Sequence, residues 1–251
     1  MKKIIVTSSW DDGHKLDFRL ARLLEKYGIK GTFYIAKEHN KGPMKENEIV
    51  EFSKTQEIGA HTLTHSELDK INLSKVKEEI FGSKIYLENL LKREVKMFCY
   101  PRGLFNKEIE NIVKSAGFLG ARSTQKFCIK KPLDFYNFGV SSHTYPFPLR
   151  KKDNKNFLLN RNLFDPLRNN YRKIIELKLP WRSFVSWNNF ANNFFDYAAA
   201  KGEMYHLYGH SWEIERYGMW HNLERHLEYI SRRDDVLYLD NSETLDFFKN
   251  N

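Results

Sequence analysis

The chain has 251 residues, of which 41% are hydrophobic and 15% aromatic, and its formal net charge is +9. This apolar content supports a sizeable core and excludes a globally disordered chain. Only two cysteines occur, Cys99 and Cys128, which excludes a disulfide framework and a cysteine-based metal site. No stretch approaches the roughly 18 apolar residues of a membrane helix, and the apolar run at 4–6 is too short for a signal peptide. The sequence therefore predicts a cytoplasmic protein.

Strands and helices alternate along the first half of the chain. A predicted strand at 3–8 precedes a predicted helix at 15–27, in which leucines recur at spacings of three and four before Gly28. The next elements follow the same alternation: a strand at 31–36, a helix at 46–56, a strand at 57–60, a helix at 74–92 capped by Ser74, a strand at 95–100, a helix at 106–116 capped by Asn106 and a strand at 118–121.

Residues 141–186 interrupt this alternation with an irregular, basic excursion. Between Pro146 and Ser183 there are ten lysines and arginines against three acidic residues. Such a segment indicates an anionic partner, either a phosphate-bearing substrate, a membrane surface or nucleic acid, unless it is simply a solvated surface insertion. No nucleic-acid-binding module is present, so no nucleic acid is expected. The aromatic series from Trp181 to Phe194 predicts core packing, with a sugar-stacking platform or a membrane-facing lid as alternatives.

Alternation returns in the last quarter of the chain. Helices are predicted near 188–200 and 220–231 and from Ser242, and strands at 203–209 and 236–239. Parallel strands with helices outside are typical of this order. We predict an α/β protein in which residues 1–251 form a single domain, an irregular (β/α)7-8 barrel. In barrels of this kind the C-terminal ends of the strands carry the chemistry.

Polar clusters follow several of the predicted strands. Asp11 and Asp12 lie where the first strand ends, before Gly13, and only a bent turn brings both carboxylates to one place, because strand side chains alternate in direction. His61 and His65 are four residues apart, so a helical turn would put both imidazoles on one face. Two histidines and one carboxylate with open positions suit Zn²⁺ or another divalent transition ion that binds water. Each pattern alone also fits a helix cap or exposed helix histidines.

A further histidine at a strand end is a candidate general acid. His210 lies just beyond the predicted strand at 203–209, where it can protonate a leaving amine. His206 is its competitor, because it lies four residues earlier on the same side of that strand. The five other histidines are expected to be surface or structural residues: His14, His39, His143, His221 and His226.

Four segments, SSWDDGH, HTLTH, FCYPRG and LYGHSWE, resemble the successive motifs of the polysaccharide deacetylase family. The resemblance implies a metal-dependent hydrolase on an irregular (β/α) barrel that removes acetyl groups from N-acetylated sugars. It also implies that Asp11 is the general base and that His210 is the general acid. The metal ligands that it implies are Asp12, His61 and His65.

The third segment departs from the family pattern. Aligned on Pro101 and Gly103, it has Cys99 where the family commonly has an arginine that orients the base, and Arg102 where an aromatic residue is usual. This departure puts the tuning of Asp11 in question. The backbone N–H of Arg102 remains an expected oxyanion donor, because side-chain identity does not determine that role. The other substrate-binding candidates are Tyr100, Trp212 and Glu213.

Together these features predict an enzyme that removes an N-acetyl or other N-acyl group from an amino sugar. Its substrate would be a phosphate-linked glycan or glycan precursor that is used in the biosynthesis of lipopolysaccharide or another cell-surface polysaccharide. The expected cofactor is one divalent metal ion, Zn²⁺ first, with Co²⁺, Ni²⁺, Mn²⁺ or Fe²⁺ as alternatives. The basic segment at 146–183 is expected to contact a membrane surface. Two alternatives remain open: a deformylase or other linear-amide hydrolase on a non-polymeric substrate, and a catalytically degenerate glycan-binding protein.

Overall fold

A computed structural model describes residues 3–39, 42–150 and 163–251. In this part of the chain, parallel strands form one curled sheet with helices outside it. The strands are β1 (Ile4–Asp11), β2 (Thr32–Ile35), β3 (Glu57–Ala60), β4 (Met97–Cys99), β5 (Gly120–Arg122), β6 (Ser142–His143), β7 (Met204–Gly209) and β8 (Val236–Tyr238). The helices are α1 (Asp17–Lys26), α2 (Glu46–Phe52), α3 (Leu73–Leu91), α4 (Lys107–Ser115), α5 (Asp165–Glu176), α6 (Trp187–Lys201), α7 (Ser211–Arg216), α8 (Trp220–Ile230) and α9 (Asn241–Asn250).

The first strand lies at the centre of the sheet. The strand order is β5-β4-β3-β2-β1-β7-β6, and β8 pairs with the start of β1. Every residue of β1 is buried, because the strand is covered on both of its faces. All ladders are parallel, so the C-terminal ends of the strands meet at one edge. The predicted irregular (β/α) barrel is confirmed.

Local sequence signals account for most of the helix positions. The side chain of Asn106 caps α4 as predicted, because it accepts a hydrogen bond from the backbone N–H of Ile109 at 2.9 Å. The predicted cap of α3 is wrong. Asn72, not Ser74, has the extended backbone conformation of a cap, and its side chain accepts from the N–H of Lys75 at 3.0 Å.

The basic excursion is more regular than its sequence indicates. It contains α5, which was not predicted because prolines and two adjacent asparagines weaken the helical signal in the sequence. The lysines and arginines at 151–162 lie outside the described residues. The predicted aromatic series divides in two: Trp187, Phe190 and Phe194 are buried in the core, whereas Trp181 is 72% exposed. Among the described helices, none has both the length and the apolar character needed to cross a membrane.

Candidate active site

Both aspartates of the first motif reach the same site because the chain bends between them. Asp11 is the last residue of β1, and Asp12 and Gly13 follow with φ angles of 82° and 62°. A side chain at Gly13 would also meet Ile35 at 3.1 Å, so this turn requires glycine on two counts. The Nε2 atom of His61 lies 4.0 Å from Asp11 Oδ2 and 3.8 Å from Asp12 Oδ1. The turn therefore gathers two buried carboxylates around one imidazole.

Asp12, His61 and His65, the predicted metal ligands, lie close together. Asp12 Oδ1 lies 3.4 Å from His65 Nε2 and 3.8 Å from His61 Nε2, and although it is buried it accepts no hydrogen bond from the described residues. The Nδ1 atom of His61 lies 2.8 Å from the carbonyl oxygen of Cys99. A carbonyl can only accept, so Nδ1 carries the proton and Nε2 presents its lone pair to Asp12. Burial also lowers the pKa of His61 to about 4, which keeps the imidazole neutral.

The two histidines do not share a helical turn, so that prediction is wrong. The segment from Thr62 to His65 is an irregular loop, and these two residues have φ angles of 65° and 57°. Glu79 of α3, a fully buried carboxylate, stabilises their loop. It accepts hydrogen bonds from the N–H groups of Leu63 and Thr64 at 2.9 Å. The imidazoles of His61 and His65 still meet, with ring centroids 4.7 Å apart.

A third imidazole joins this cluster. His39 Nε2 lies 3.6 Å from Asp12 Oδ2, and the His39 ring is 5.2 Å from that of His65. The expectation that His39 is a surface or structural residue needs correction, because its side chain is only 7% exposed. Asp12, His39 and His65 form one group that could hold an ion. His39 follows β2 in a loop without a sequence motif, so the sequence offers no signal for its place here.

Arg122 supplies the guanidinium that the third motif lacks. Cys99 of β4 and Arg122 of β5 are partners in the parallel ladder, so the arginine lies at the same height on the next strand. Its Nη2 donates to Asp11 Oδ1, and its side chain is completely buried. The rings of Tyr208 and Tyr34 lie 4.5 and 5.3 Å from the guanidinium carbon. The departure at Cys99 is thus matched by a charge one strand away.

This pairing keeps the candidate base ionised. Burial by itself would raise the pKa of Asp11, but the positive charge of Arg122 and the neighbouring His61 outweigh it, and the pKa falls to about 2. Arg122 cannot lose its proton at ordinary pH. Asp11 is therefore a carboxylate over the whole neutral range, which is the form that can accept a proton.

His210 follows β7 directly and also approaches Asp11. Its Nε2 is 3.9 Å from Asp11 Oδ2, and its Nδ1 donates to Glu213 Oε2 at 2.6 Å. The same Glu213 oxygen lies 3.4 Å from His143 Nε2. Burial would lower the pKa of His210, but its hydrogen bond and charge interaction with Glu213 raise it to about 8. His210 is therefore protonated at neutral pH.

The competing histidine has a different place. His206 lies within β7, where its Nδ1 donates to the carbonyl of Gly139 at 3.0 Å and its Nε2 accepts from the hydroxyl of Ser9 at 2.9 Å. Burial lowers its pKa to about 3, so it is neutral. Both of its nitrogens are used within the sheet. His206 therefore stabilises the packing of β7 against β1.

The four substrate-binding candidates divide into different roles. Glu213 is the partner of His210, and Trp212 donates from Nε1 to Asp12 Oδ2 at 2.8 Å, so both support other site residues. The Tyr100 side chain is buried, stacks on Phe105 at 4.2 Å and donates to a backbone carbonyl, so we correct its role to core packing. The side chain of Arg102 pairs with Glu67 at 2.9 Å. The Arg102 N–H as an oxyanion donor stays a prediction.

Comparison with known proteins bears on these motifs. Residues 1–121 match the family model described as polysaccharide deacetylase. The resemblance to the polysaccharide deacetylase family is confirmed. A protein of Bacillus subtilis (strain 168) named "Putative polysaccharide deacetylase YxkH" is 26% identical over 121 residues, which are 47% of this chain and 43% of the relative. The match therefore spans less than half of that relative's length.

Two solved structures resemble the chain over its full length. One is the Xyl-CE4 domain of a multidomain xylanase from the hindgut metagenome of Trinervitermes trinervoides, with a TM-score of 0.60, and the other is a "putative polysaccharide deacetylase" from Mycobacterium smegmatis, with a TM-score of 0.63. Each is 14% identical, and each alignment covers 100% of this chain and 92% of the other. These likenesses show that the fold is that of polysaccharide deacetylases. The family match ends one residue before Arg122, so His210 and Arg122 are placed by the structure alone.

Proposed function

We propose that the protein is a metal-dependent hydrolase that removes an N-acetyl group from an amino sugar. The observation that carries this proposal is that Asp11 lies close to two different sets of groups. His61 of the candidate metal site and His210 approach the same oxygen of Asp11, Oδ2, at 4.0 and 3.9 Å. A base that is close to both a metal site and an acid is what amide hydrolysis requires.

The residues of the site divide the reaction between them. A divalent ion held by Asp12, His61 and His65 would supply Lewis acidity at the acyl carbonyl and lower the pKa of water at the site. Asp11, ionised, accepts the proton of the attacking water. His210, protonated, donates its proton to the leaving amine, so that acetate and a free amino sugar result. Trp212 holds the outer oxygen of Asp12 and thereby orients that ligand.

The basic residues near the site support a phosphate-linked substrate. A cavity of about 250 Å³ adjoins His143, the second histidine on Glu213, and Lys126 and Arg150 are among its lining residues. Among the described lining residues these two cations outnumber the one acid, Asp165, and this excess of positive charge favours an anionic group on the sugar. We therefore propose an N-acetylated precursor of a surface polysaccharide, linked to phosphate, as the substrate, and the cytoplasm as the place of the reaction.

The test is to load the purified protein with Zn²⁺ and measure both metal content and acetate release. We expect about one ion per chain, lost in the His65→Ala variant, and acetate from N-acetylated amino sugars. Faster turnover of phosphate-linked sugars than of neutral oligomers would support the substrate class. Formate release from N-formyl sugars without acetate release would identify a deformylase. Glycan binding that survives in Asp11→Asn, with no turnover by the wild type, would identify a binding protein and overturn the proposal.

A further inference from the structure

The surface formed by α5 and the turn that follows it exposes an unusual number of apolar side chains. Five apolar residues between positions 164 and 185 are exposed. Their exposed fractions are 51% for Phe164, 38% for Tyr171, 62% for Ile175, 72% for Trp181 and 56% for Val185. Exposed patches of this kind on a folded domain mark sites of interaction with proteins or membranes. We call these five residues and the basic residues among them the α5 surface.

The spacing within α5 puts its exposed residues on one side of the helix. Phe164, Tyr171 and Ile175 are separated by seven and four residues, which returns to the same face of a helix after two turns and after one. Other sides of the helix are inside the protein, because Ile174, about 100° around the helix from Ile175, is fully buried and Pro166 is buried. The exposed stripe is therefore additional to the face that packs on the core.

The α5 surface is also basic. Four exposed cations, Arg168, Arg172, Lys178 and Arg182, lie among the apolar residues. The exposed acid Glu176 is already paired with Lys173 at 2.6 Å. Arg182 lies over the ring of Trp181 at 5.9 Å, so an aromatic ring and a cation project together. Aromatic and aliphatic side chains interleaved with arginine and lysine are typical of protein surfaces that lie in the interface of an anionic bilayer.

This surface is connected to the candidate active site through the same helix. Residues of α5, among them the buried Pro166 and the half-buried Asn170, line the cavity that adjoins His143. His143 in turn contacts Glu213, the partner of His210. A bound substrate in this cavity would thus be separated from the α5 surface by one helix diameter, which is about 10 Å.

We propose that the α5 surface binds the surface of a bilayer that contains anionic phospholipids. The apolar side chains insert among the lipid headgroups, and the arginines and Lys178 bind phosphates. This arrangement brings the cavity beside His143 to the level of the headgroups. If the proposed deacetylation is correct, on which this part rests, the substrate is an amino sugar whose phosphate is attached to a lipid.

The test is sedimentation of the full chain with vesicles of phosphatidylcholine alone and with vesicles that also contain phosphatidylglycerol. We expect binding to the mixed vesicles only. A double variant, Ile175→Ala with Trp181→Ala, should bind at least tenfold more weakly, because two large apolar side chains no longer enter the interface. Arg172→Gln and Arg182→Gln should each weaken binding about fivefold. Leu133→Ala and Lys77→Gln, which change exposed residues outside the α5 surface, should bind like the wild type.

Thermal unfolding of each variant serves as the control for folding, and the altered side chains are exposed, so no change is expected. Absence of binding by the wild type, or equal binding by wild type and double variant, would overturn the proposal. Self-association that is lost in the double variant, without vesicle binding, would show that the surface joins copies of the chain instead.

Acetate release from a soluble substrate separates the two proposals. If it persists without vesicle binding, only the bilayer proposal fails, and if it is absent despite vesicle binding, the deacetylase proposal fails.

Discussion

Two ion pairs of the candidate site differ in their burial. Asp11 pairs with Arg122, a guanidinium that is completely buried and carries a permanent charge. His210 pairs with Glu213, and the side chains of that pair are 16% and 13% exposed. Both are pairs of a carboxylate with a cation. In the first pair the carboxylate, Asp11, is the proposed catalytic group, and in the second pair the cation, His210, is.

The difference determines where each proton lies. The charge of Arg122 holds the pKa of Asp11 at about 2, against the effect of burial, so this carboxylate stays deprotonated. Glu213 raises the pKa of His210 to about 8, and the imidazole therefore stays protonated at neutral pH. Two groups less than 4 Å apart are thereby kept in opposite protonation states by their partners. Such a separation of pKa values is the usual way in which one site holds a base and an acid together.

The largest effect is expected from breaking the buried pair. Arg122→Met should lower the free energy of unfolding by about 3 kcal/mol, because it leaves the carboxylate of Asp11 buried without its partner. Urea unfolding measures this. The double variant with Asp11→Asn should recover much of the loss, since the unpaired charge is then gone. Additive losses in the double variant would show that the two side chains do not stabilise each other.

Placing the guanidinium on β4, at position 99, should restore activity to a chain that lacks Arg122. In the chain with Arg122→Cys and Cys99→Arg, the cation stands one strand away at the same height of the ladder. We expect this double variant to exceed Arg122→Cys in acetate release by about tenfold or more, because Asp11 again has a charged partner. The Cys99→Arg change alone serves as the control for crowding. Equal rates for Arg122→Cys and the double variant would mean that position 99 cannot replace position 122.

On the acid side, Glu213→Gln should change the pH dependence. His210 has a pKa above its ordinary value, so the protonated acid is present below about pH 8 and is lost above it. Removing the charge of Glu213 lowers that pKa, and the alkaline limb of the rate profile should move to lower pH. Rates of acetate release measured from pH 6 to 9 test this, with Glu215→Gln as a control on the same helix. If the alkaline limb of the Glu213→Gln profile did not move, that limb would reflect the titration of a group other than His210.

A last prediction concerns the stability of the fold and not the reaction, through Asp17, a fully buried acid at the start of α1. Burial raises its pKa to about 8, despite the nearby Ser211 hydroxyl. Because the folded pKa lies above the unfolded value of 3.8, this group favours folding at low pH, and its contribution falls as the pH rises from about 4 to 8. Asp17→Asn should therefore flatten the dependence of stability on pH in that window. Urea unfolding at several pH values checks this, and an unchanged slope would contradict it.

How far the sequence predicts the site depends on the kind of signal. The strand ends at Asp11 and His61 follow from alternation and from short motifs, because parallel strands end at one edge. Arg122 carries no such signal. Its role depends on the ladder register of β4 with β5, which is a tertiary property. His39 and Glu79 are likewise brought to the site by packing of their loop and helix, and no local pattern marks them.

The excursion shows the opposite limit. Its basic charge is plain in the sequence, but α5 is not, because Asn169 and Asn170 interrupt the helical signal of the residues around them. The exposure of Trp181 could not be predicted either, since an aromatic residue in an aromatic-rich segment usually indicates a core.

The most direct test of the central claim compares the Zn²⁺-loaded wild type with Asp11→Asn, measuring acetate release and metal content on the same preparations. Because Asp12, His61 and His65 are unchanged, the variant should keep its metal. It should lose roughly 100-fold or more in rate, since the group that accepts the proton from water is gone. Undiminished acetate release by Asp11→Asn, or a fully loaded wild type that releases no acetate from any N-acetylated amino sugar, would contradict the account.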